Sequence, residues 1–348
     1  MNRRHLLASL PTLATARALL GAGASGRLGI CTFSCHQHWK AVGAKHEGVK
    51  FKDTLSFARY VRELGADGVQ TPLRGKDKGL AKQMRAFSEE TGSYYEGELR
   101  LPKTESDLPT FESEVRLARE AGASVARAVF TSGRRYEVMK SLDDFHAFHQ
   151  QAARSLELAE PVLRQHQLRL AVENHKDLTS DELAALMRKL SSEWIGVLVD
   201  TGNNLALLED PQTTLTALAP FAASVHLKDM AVQTSDDGFL LSEVPLGTGA
   251  LDLPLMISTL QKANPRIIFN LEMATRDPLH VPCLTDAYFI SFPERKATLL
   301  DTMMRWVKTN PPKAPVPQMA GKSTAQQLAE EEQNNRHGLA WMHQHIAA

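Results

Sequence analysis

The sequence lacks an excess of charge of either sign. Lys and Arg together number 40, Asp and Glu together also number 40, and the formal net charge is zero. Domains that bind nucleic acid normally carry a basic excess, so we expect no DNA or RNA partner. A composition of 43% hydrophobic and 23% charged residues is typical of a globular protein with a sizeable core.

Cysteine is scarce, and long apolar runs are missing. Only Cys31, Cys35 and Cys283 are present, without a C-x-x-C pair or zinc-finger spacing. We therefore expect buried or free thiols without a catalytic role. The absence of long apolar runs excludes a multi-span membrane protein.

The first 24 residues have the layout of an export signal. Arg3 and Arg4 precede a moderately apolar stretch, Leu6–Leu20, and Ala22-Gly23-Ala24 supplies a small-residue cleavage site. The paired arginines resemble a twin-arginine signal. We predict that residues 1–24 are removed and that the mature protein is periplasmic and not bound to a membrane. Without such processing the chain would stay in the cytoplasm.

Between this signal and the C-terminal tail, β-rich runs alternate with helical patterns. The predicted strands are Arg27–Phe33, Gly68–Leu73, Tyr94–Leu101, Ser124–Phe130, Leu168–Asn174, Ile195–Asp200, Ser224–Leu227 and Ile267–Met273. The predicted helices are Asp53–Leu64, Leu80–Glu90, Phe111–Ala121, Asp143–Gln165, Ser180–Leu190, Pro211–Leu218, Leu253–Ala263 and Glu294–Thr309. Eight β-then-α units demand a parallel sheet and predict an α/β fold, a closed (β/α)₈ TIM barrel over residues 25–310. A doubly wound open sheet is the alternative, but no G-x-G-x-x-G follows the first strand.

Two further expectations depend on the barrel. Its first and last strands would be neighbours, so Cys35 and Cys283 could meet at one rim and form a disulfide in an oxidising compartment. The tail, residues 311–348, begins with a Pro-rich strap and returns to a helical pattern over Ser323–Ile346. This extra helix is expected to pack on the barrel exterior or on another subunit, which leaves a homo-oligomer open.

The chemistry is expected at the carboxyl ends of strands five to eight, where barrel enzymes carry their working residues. Each of these strands ends in one candidate metal ligand: Glu173, Asp200, His226 and Glu272. Three carboxylates packed together would repel one another without a cation. With one imidazole they suit a divalent metal, for which we expect Mn²⁺, while Mg²⁺, Co²⁺ or Zn²⁺ would also fit.

These strand ends resemble those of the sugar isomerase/epimerase superfamily, whose xylose-isomerase-like barrel is related to the apurinic endonuclease family 2 barrel. The shared segments are Val172-Glu173-Asn174-His175, Val199-Asp200-Thr201-Gly202-Asn203, Val225-His226-Leu227-Lys228-Asp229, Pro245-Leu246-Gly247-Thr248-Gly249 and Leu271-Glu272-Met273. The resemblance implies that the four residues above bind one divalent metal and that Glu173 and Glu272 also move protons. It implies a metal-dependent sugar isomerase or epimerase that abstracts a proton next to a carbonyl and passes through an enediolate.

The same enediolate leaves other reactions open. A hydro-lyase acting on a 3-keto sugar or glycoside is the second hypothesis, and a non-catalytic carbohydrate-binding barrel is the third. Candidate substrate-binding residues are Lys228, His175, Glu98, Arg276 and His36, with His38 close to the last.

Departures from relatives argue against an apurinic endonuclease and narrow the class of sugar substrate. The endonuclease branch has a ligand histidine where Asn203 stands, and Leu241 and Glu243 replace its Asp-x-His ligands. Some epimerases also carry a histidine at the position of Asn203. No phosphate-binding glycine loop is visible, so we expect a non-phosphorylated sugar or cyclitol.

Overall fold

The computed structural model describes residues 27–73, 78–292 and 297–346, and a closed barrel of eight parallel strands forms its centre. The barrel strands are β1 Leu28–Cys31, β2 Gly68–Gln70, β3 Tyr94–Glu98, β4 Val125–Ala128, β5 Arg169–Glu173, β6 Ile195–Asp200, β7 Ala222–Leu227 and β10 Phe269–Leu271. Each predicted strand is present, and the barrel closes because β10 pairs with β1. The predicted TIM barrel is thus confirmed, while the predicted export signal lies outside the described residues.

Helices follow the strands in the predicted alternation. They are α1 His36–Gly43, α2 Thr54–Glu63, α3 Lys78–Thr91, α4 Leu108–Glu120, α5 Arg135–Val138, α6 Leu142–His166, α7 Ser180–Leu190, α8 Pro211–Leu218, α9 Leu253–Ala263, α10 Ala297–Thr309 and α11 Thr324–His345. Side-chain caps set several starts. Thr179 and Glu182 form a reciprocal capping box that begins α7, with the capping residue directly before Ser180.

A three-stranded antiparallel sheet beside the barrel was not foreseen. It consists of β8 Asp229–Ser235, β9 Gly238–Val244 and β11 Leu279–Val281, in the order β11-β9-β8. The available signal was the turn-forming run Ser235-Asp236-Asp237-Gly238 between two segments that contain apolar residues, because Ser235 pairs with Gly238 in a hairpin. Helix α10 packs against β8, and its Met303 and Val307 belong to the apolar cluster of this sheet. The last helix of the predicted β/α series therefore covers the small sheet and not the barrel strands.

Helix α11 packs on the barrel exterior, as predicted, and it lies against both β1 and β10. Its Leu339 and Met342, with Ile346 directly after its end, join the main apolar core. Gly338 permits this approach, because a Cβ there would lie 2.6 Å from Leu271 of β10. The proline-containing segment before α11 has no regular structure up to Ser323, and the Lys313 ammonium donates to the Gly249 carbonyl at 2.7 Å. Helix α11 thus covers the seam between the first and last barrel strands.

The three cysteines are buried and free, so the proposed Cys35–Cys283 disulfide is absent. Cys35 receives a hydrogen bond from Asn335 of α11 at 3.3 Å. Cys283 instead lies in the small-sheet cluster, 3.6 Å from the Met304 sulfur. The two thiols pack in different clusters because β10 is followed by the small sheet rather than by a short turn. Among the described residues, no helix is both long enough and apolar enough to cross a membrane.

Candidate metal centre

The structure brings the four predicted ligands together at the carboxyl ends of the strands. Glu173 and Asp200 are the last residues of β5 and β6, His226 lies in β7, and Glu272 directly follows β10. One potential ligand atom from each lies within 4.8 Å of the others, and all four residues are buried. Strand order β10-β7-β6-β5 gives this convergence, because four adjacent parallel strands end at one rim.

Asp200 is oriented by backbone groups of the turn that follows it. Its Oδ1 accepts hydrogen bonds from the Gly202 and Asn203 amides at 2.9 and 2.8 Å. Its Oδ2 accepts no hydrogen bond, although the Lys228 ammonium lies 2.8 Å away. Asn174 fixes the same strand end, since its side-chain oxygen accepts from the Asp200 amide at 2.7 Å. Backbone amides thus hold Oδ1, and Oδ2 is the oxygen that faces the cationic group of the centre.

His226 is oriented by a hydrogen-bonded chain in the barrel interior. Glu96 Oε2 accepts from Gln70 Nε2 at 2.8 Å, so the Gln70 amide turns its oxygen towards His226. That oxygen lies 2.6 Å from His226 Nε2, which must carry the hydrogen. Nδ1 then presents its lone pair to the centre, where it has no hydrogen-bond partner and lies 3.3 Å from Glu272 Oε2. An unsatisfied buried ring nitrogen among three carboxylates is a donor set that suits a divalent cation.

Glu173 and Glu272 are held ionised by neighbouring cations. Burial raises the pKa of Glu173, but the charge of Arg127 leads the effects that outweigh it and hold the pKa below its usual value. Burial also acts on Glu272, where the charge of Lys228 leads the effects that outweigh it. For Asp200 burial prevails over Lys228 and raises the pKa to about 7. The two glutamates are therefore the stronger anions of the centre.

Lys228 and Arg276, predicted to contact substrate, belong to one ion-pair network with the centre. The Lys228 ammonium lies 2.6 Å from Glu272 Oε2 and 3.8 Å from Glu243 Oε1. Arg276 binds Glu243 through two nitrogens, at 3.1 and 2.5 Å. Glu243, which replaces an endonuclease ligand, thus links Arg276 to Lys228.

His175 and Glu98 lie at the edge of the centre. His175 Nδ1 lies 3.0 Å from the Thr131 carbonyl, and its Nε2 lies 4.0 Å from Glu173 Oε1. Burial lowers the pKa of His175 to about 4, so this ring is neutral near pH 7. Glu98 lies 3.2 Å from Arg127.

His36 and His38 lie in α1, where the structure places both beside Glu331 of α11. The Glu331 carboxylate lies 3.5 Å from His36 Nδ1 and 2.6 Å from His38 Nδ1. The His36 ring stacks on Phe33 at 5.0 Å. Neither histidine belongs to the group of four converging ligands.

Several residues of the centre were missed from the sequence. Arg127 of β4 donates to Glu173 Oε2 at 2.5 Å, and its charge within an otherwise apolar strand was the available signal. Asn203 bridges the centre by donating to Glu173 Oε1 at 3.0 Å and accepting from Lys228 at 3.2 Å. Cys31 of β1 lies within 4.8 Å of His226 and Glu272, and burial raises the pKa of its thiol.

The Lys228-Asp229 and Pro245–Gly249 segments of the resemblance have a structural explanation. The buried Asp229 carboxylate accepts from the backbone amides of Met230, Gly247, Gly249 and Leu251, at distances between 2.8 and 3.2 Å. Gly249 approaches so closely that a Cβ would lie 2.2 Å from Asp229 Oδ1. Asp229 therefore fixes this loop onto the end of the strand that carries His226.

Comparisons with known proteins show the family of this chain. The family described as xylose isomerase-like TIM barrel matches residues 58–308. A 3-oxo-isoapionate decarboxylase of Pectobacterium atrosepticum is 28% identical over 103 residues, 29% of this chain and 38% of that protein. The uncharacterized protein YihM of Escherichia coli is 26% identical over 141 residues, 40% of each chain. The chain thus spans about two fifths of the length of the curated relatives it matches.

Solved structures share the fold at low identity. A D-psicose 3-epimerase studied with D-fructose superposes with a TM-score of 0.56 at 11% identity, over 92% of this chain and 100% of that one. The 3-keto-D-glucoside 4-epimerase of Escherichia coli gives 0.52 at 14% identity, over 82% and 99%. A xylose isomerase-like barrel protein of Mycobacterium smegmatis in complex with magnesium gives 0.51 at 14%, over 82% and 98%. At these identities the likeness concerns the fold alone.

Proposed function

The chain belongs to the xylose isomerase-like TIM barrel family, and on that premise we propose that it is a metal-dependent sugar isomerase or epimerase. The proposed substrate is a non-phosphorylated sugar or cyclitol. The observation that carries the proposal is the convergence of Glu173, Asp200, His226 and Glu272 within 4.8 Å. Three carboxylates close to one imidazole suit one divalent metal ion, for which we expect Mn²⁺. The Nδ1 atom of that imidazole has no hydrogen-bond partner.

The two glutamates are suited to proton transfer in a paired way. Two barrel strands separate the strands that carry Glu173 and Glu272, so the two carboxylates reach the centre from different directions. Both are held as anions, which is the form that accepts a proton from carbon. A bound divalent cation would supply Lewis acidity that weakens the C–H bond next to a carbonyl.

The fate of the proton decides the product. Removal by one glutamate and return by the other, on the opposite face, inverts the carbon. Return of the proton to the adjacent carbon converts an aldose into a ketose or the reverse. Arg127 and Lys228 balance the charge of the two carboxylates while this happens, since each contacts one of them.

The test is hydrogen exchange in deuterated water. The metal-loaded protein is incubated with free keto sugars, 3-keto glycosides and keto-cyclitols, and deuterium at the carbon next to the carbonyl is measured by mass spectrometry. We expect incorporation with unchanged substrate mass apart from the isotope. Glu173→Gln and Glu272→Gln should each lower the rate at least 100-fold, the usual range for a lost general base. Glu332→Gln, on the outer side of α11, is the matched control.

Each outcome has a definite meaning. Exchange that persists in both site variants would refute the glutamate roles. A product lighter by one water would replace isomerisation with the hydro-lyase reaction at the same centre, and binding without exchange or turnover would favour a carbohydrate-binding protein. Elemental analysis of the purified protein identifies the metal, and Asp200→Asn should lower its content.

A further inference from the structure

Cys31 lies at the metal centre without a part in the function proposed above. It is the last residue of β1 and is 1% exposed. Leu28 and Ile30 of the same strand pack in the main apolar core, so the alternation of side chains along a strand directs Cys31 to the barrel interior. Its Sγ atom, one ring nitrogen of His226 and one carboxylate oxygen of Glu272 lie within 4.8 Å of one another. The strands that position these three atoms are neighbours, in the order β1-β10-β7.

The surroundings of Cys31 differ from those of the other two thiols. A buried cysteine usually behaves as a small apolar side chain. Cys35 packs in the main apolar core and Cys283 in the small-sheet cluster, so both fit this description. Cys31 belongs to none of the apolar clusters that the described residues form. Its thiol lies beside an imidazole and a carboxylate instead, and apolar packing does not explain its position.

A buried nitrogen without a partner indicates a ligand at the same place. His226 is 1% exposed, and the Gln70 side-chain oxygen lies 2.6 Å from its Nε2. Its Nδ1 has no hydrogen-bond partner among the described residues and lies 3.3 Å from Glu272 Oε2. This nitrogen is therefore directed at the residue whose carboxylate Cys31 also approaches. A buried polar atom of this kind costs free energy unless a ligand satisfies it.

Two sets of donors thus share His226 and Glu272. The first set adds Glu173 and Asp200 and is rich in oxygen, which suits a hard cation such as Mn²⁺. The second set adds the sulfur of Cys31, and thiolate sulfur favours softer cations. Zinc binds thiolate, imidazole and carboxylate ligands, and three protein ligands are enough for it because water takes the fourth position in open sites.

We propose that Cys31, His226 and Glu272 form a second cation position in the centre, which takes a thiophilic divalent cation such as Zn²⁺ or Co²⁺. The bond between sulfur and the cation forms as the Cys31 thiol releases its proton to solvent. Because the two positions share two ligands, a thiophilic cation competes with Mn²⁺. This inference rests on the metal site of the proposed function and not on its reaction.

Cobalt spectroscopy tests the sulfur bond directly. The full chain is freed of metal by dialysis against a chelator and titrated with Co²⁺ alone, and the near-ultraviolet absorption is recorded. A sulfur–cobalt bond gives a charge-transfer band in this region, which oxygen and nitrogen ligands do not. We expect the band in the unaltered protein and its loss in Cys31→Ala. Cys35→Ala and Cys283→Ala are matched controls and should retain it.

Metal competition separates a ligand from a residue that only supports the fold. A chelator competition should show Zn²⁺ affinity at least 10-fold lower in Cys31→Ala, since loss of a residue that merely supports a ligand already costs about 10–100-fold. Mn²⁺ affinity should stay within about threefold, because the oxygen-rich set is intact.

Three results would overturn the proposal. They are the absence of the cobalt band whether or not Co²⁺ binds, a band that survives Cys31→Ala, and equal loss of Zn²⁺ and Mn²⁺ affinity. Circular dichroism establishes that the variants are folded. If Cys31→Ala is not, the double variant Cys35→Ala/Cys283→Ala leaves Cys31 as the only thiol of the chain, and the presence or absence of the band there decides the assignment. Failure of the deuterium experiment with the cobalt band present would refute the proposed reaction and leave this assignment standing.

Discussion

Replacement of Glu331 by alanine should destabilise the whole barrel. The Glu331 side chain is fully buried and accepts hydrogen bonds from the Gln37 amide at 2.7 Å and the His38 amide at 3.0 Å. These amides belong to the first turn of α1, whose N-terminal donors have no partner within the helix. No side chain near the start of α1 caps it. A carboxylate from α11 therefore performs the task of an N-cap across nearly 300 residues of sequence.

The size of the effect follows from the groups left without a partner. Glu331→Ala orphans two backbone amides and the His38 ring nitrogen, which lies 2.6 Å from the carboxylate. At roughly 1–3 kcal/mol for each of these three buried donors, the loss is about 3–9 kcal/mol. This is a large share of the 5–15 kcal/mol typical of whole proteins.

The assay is guanidinium unfolding followed by circular dichroism, with Glu332→Ala as the matched control. Glu332 pairs with Arg336 one helical turn away on the outer side of α11, so its loss should cost less than about 0.5 kcal/mol. An unfolding free energy of Glu331→Ala within 1 kcal/mol of the unaltered protein would show that α11 does not stabilise the first helix in this way.

Three further predictions concern metal affinity, pH and export. Gln70→Leu removes the acceptor that fixes His226, so a chelator competition should show metal affinity reduced 10–100-fold, whereas Ser224→Ala should change it little. Burial raises the pKa of Asp177 to about 7, so the folded state binds this proton more tightly than the unfolded state and stability falls as pH rises from about 4 to 7. Asp177→Asn should remove up to about 4 kcal/mol of that dependence, and parallel slopes for the two proteins would contradict the assignment. Exchanging Arg3 and Arg4 for lysine should keep the protein in the cytoplasm, whereas the unaltered protein should be found in the periplasm beginning at Ser25; equal export of both would exclude a twin-arginine route.

The barrel and its four converging residues could be predicted because short stretches of sequence determine both. A β-rich run that ends in a carboxylate or histidine specifies at once a strand and the rim where that side chain lies. Glu173 and Asp200 follow this rule directly. Three-dimensional convergence then follows from strand order alone, since parallel strands share one edge.

Residues that act through distant partners could not be predicted in this way. The contact of Glu331 with α1 joins segments 293 residues apart, and nothing near either segment signals it. Arg127 resembles an ordinary surface cation in sequence, and only the packed structure shows that it lies beside Glu98 and Glu173. The small antiparallel sheet was missed because β8 follows β7 after a single residue, so that two strands were counted as one strand and a loop.

The position of α11 bears on where this protein can be cut. Residues 58–308, the part recognised by family comparison, include neither β1 nor the helix that covers β1 and β10. A fragment with those limits would lack β1 and α11. The barrel would then be open between β2 and β10, and Leu271 would be exposed to water. The stretch that matches the family, residues 58–308, is therefore shorter than the stretch of chain that is needed to close the barrel.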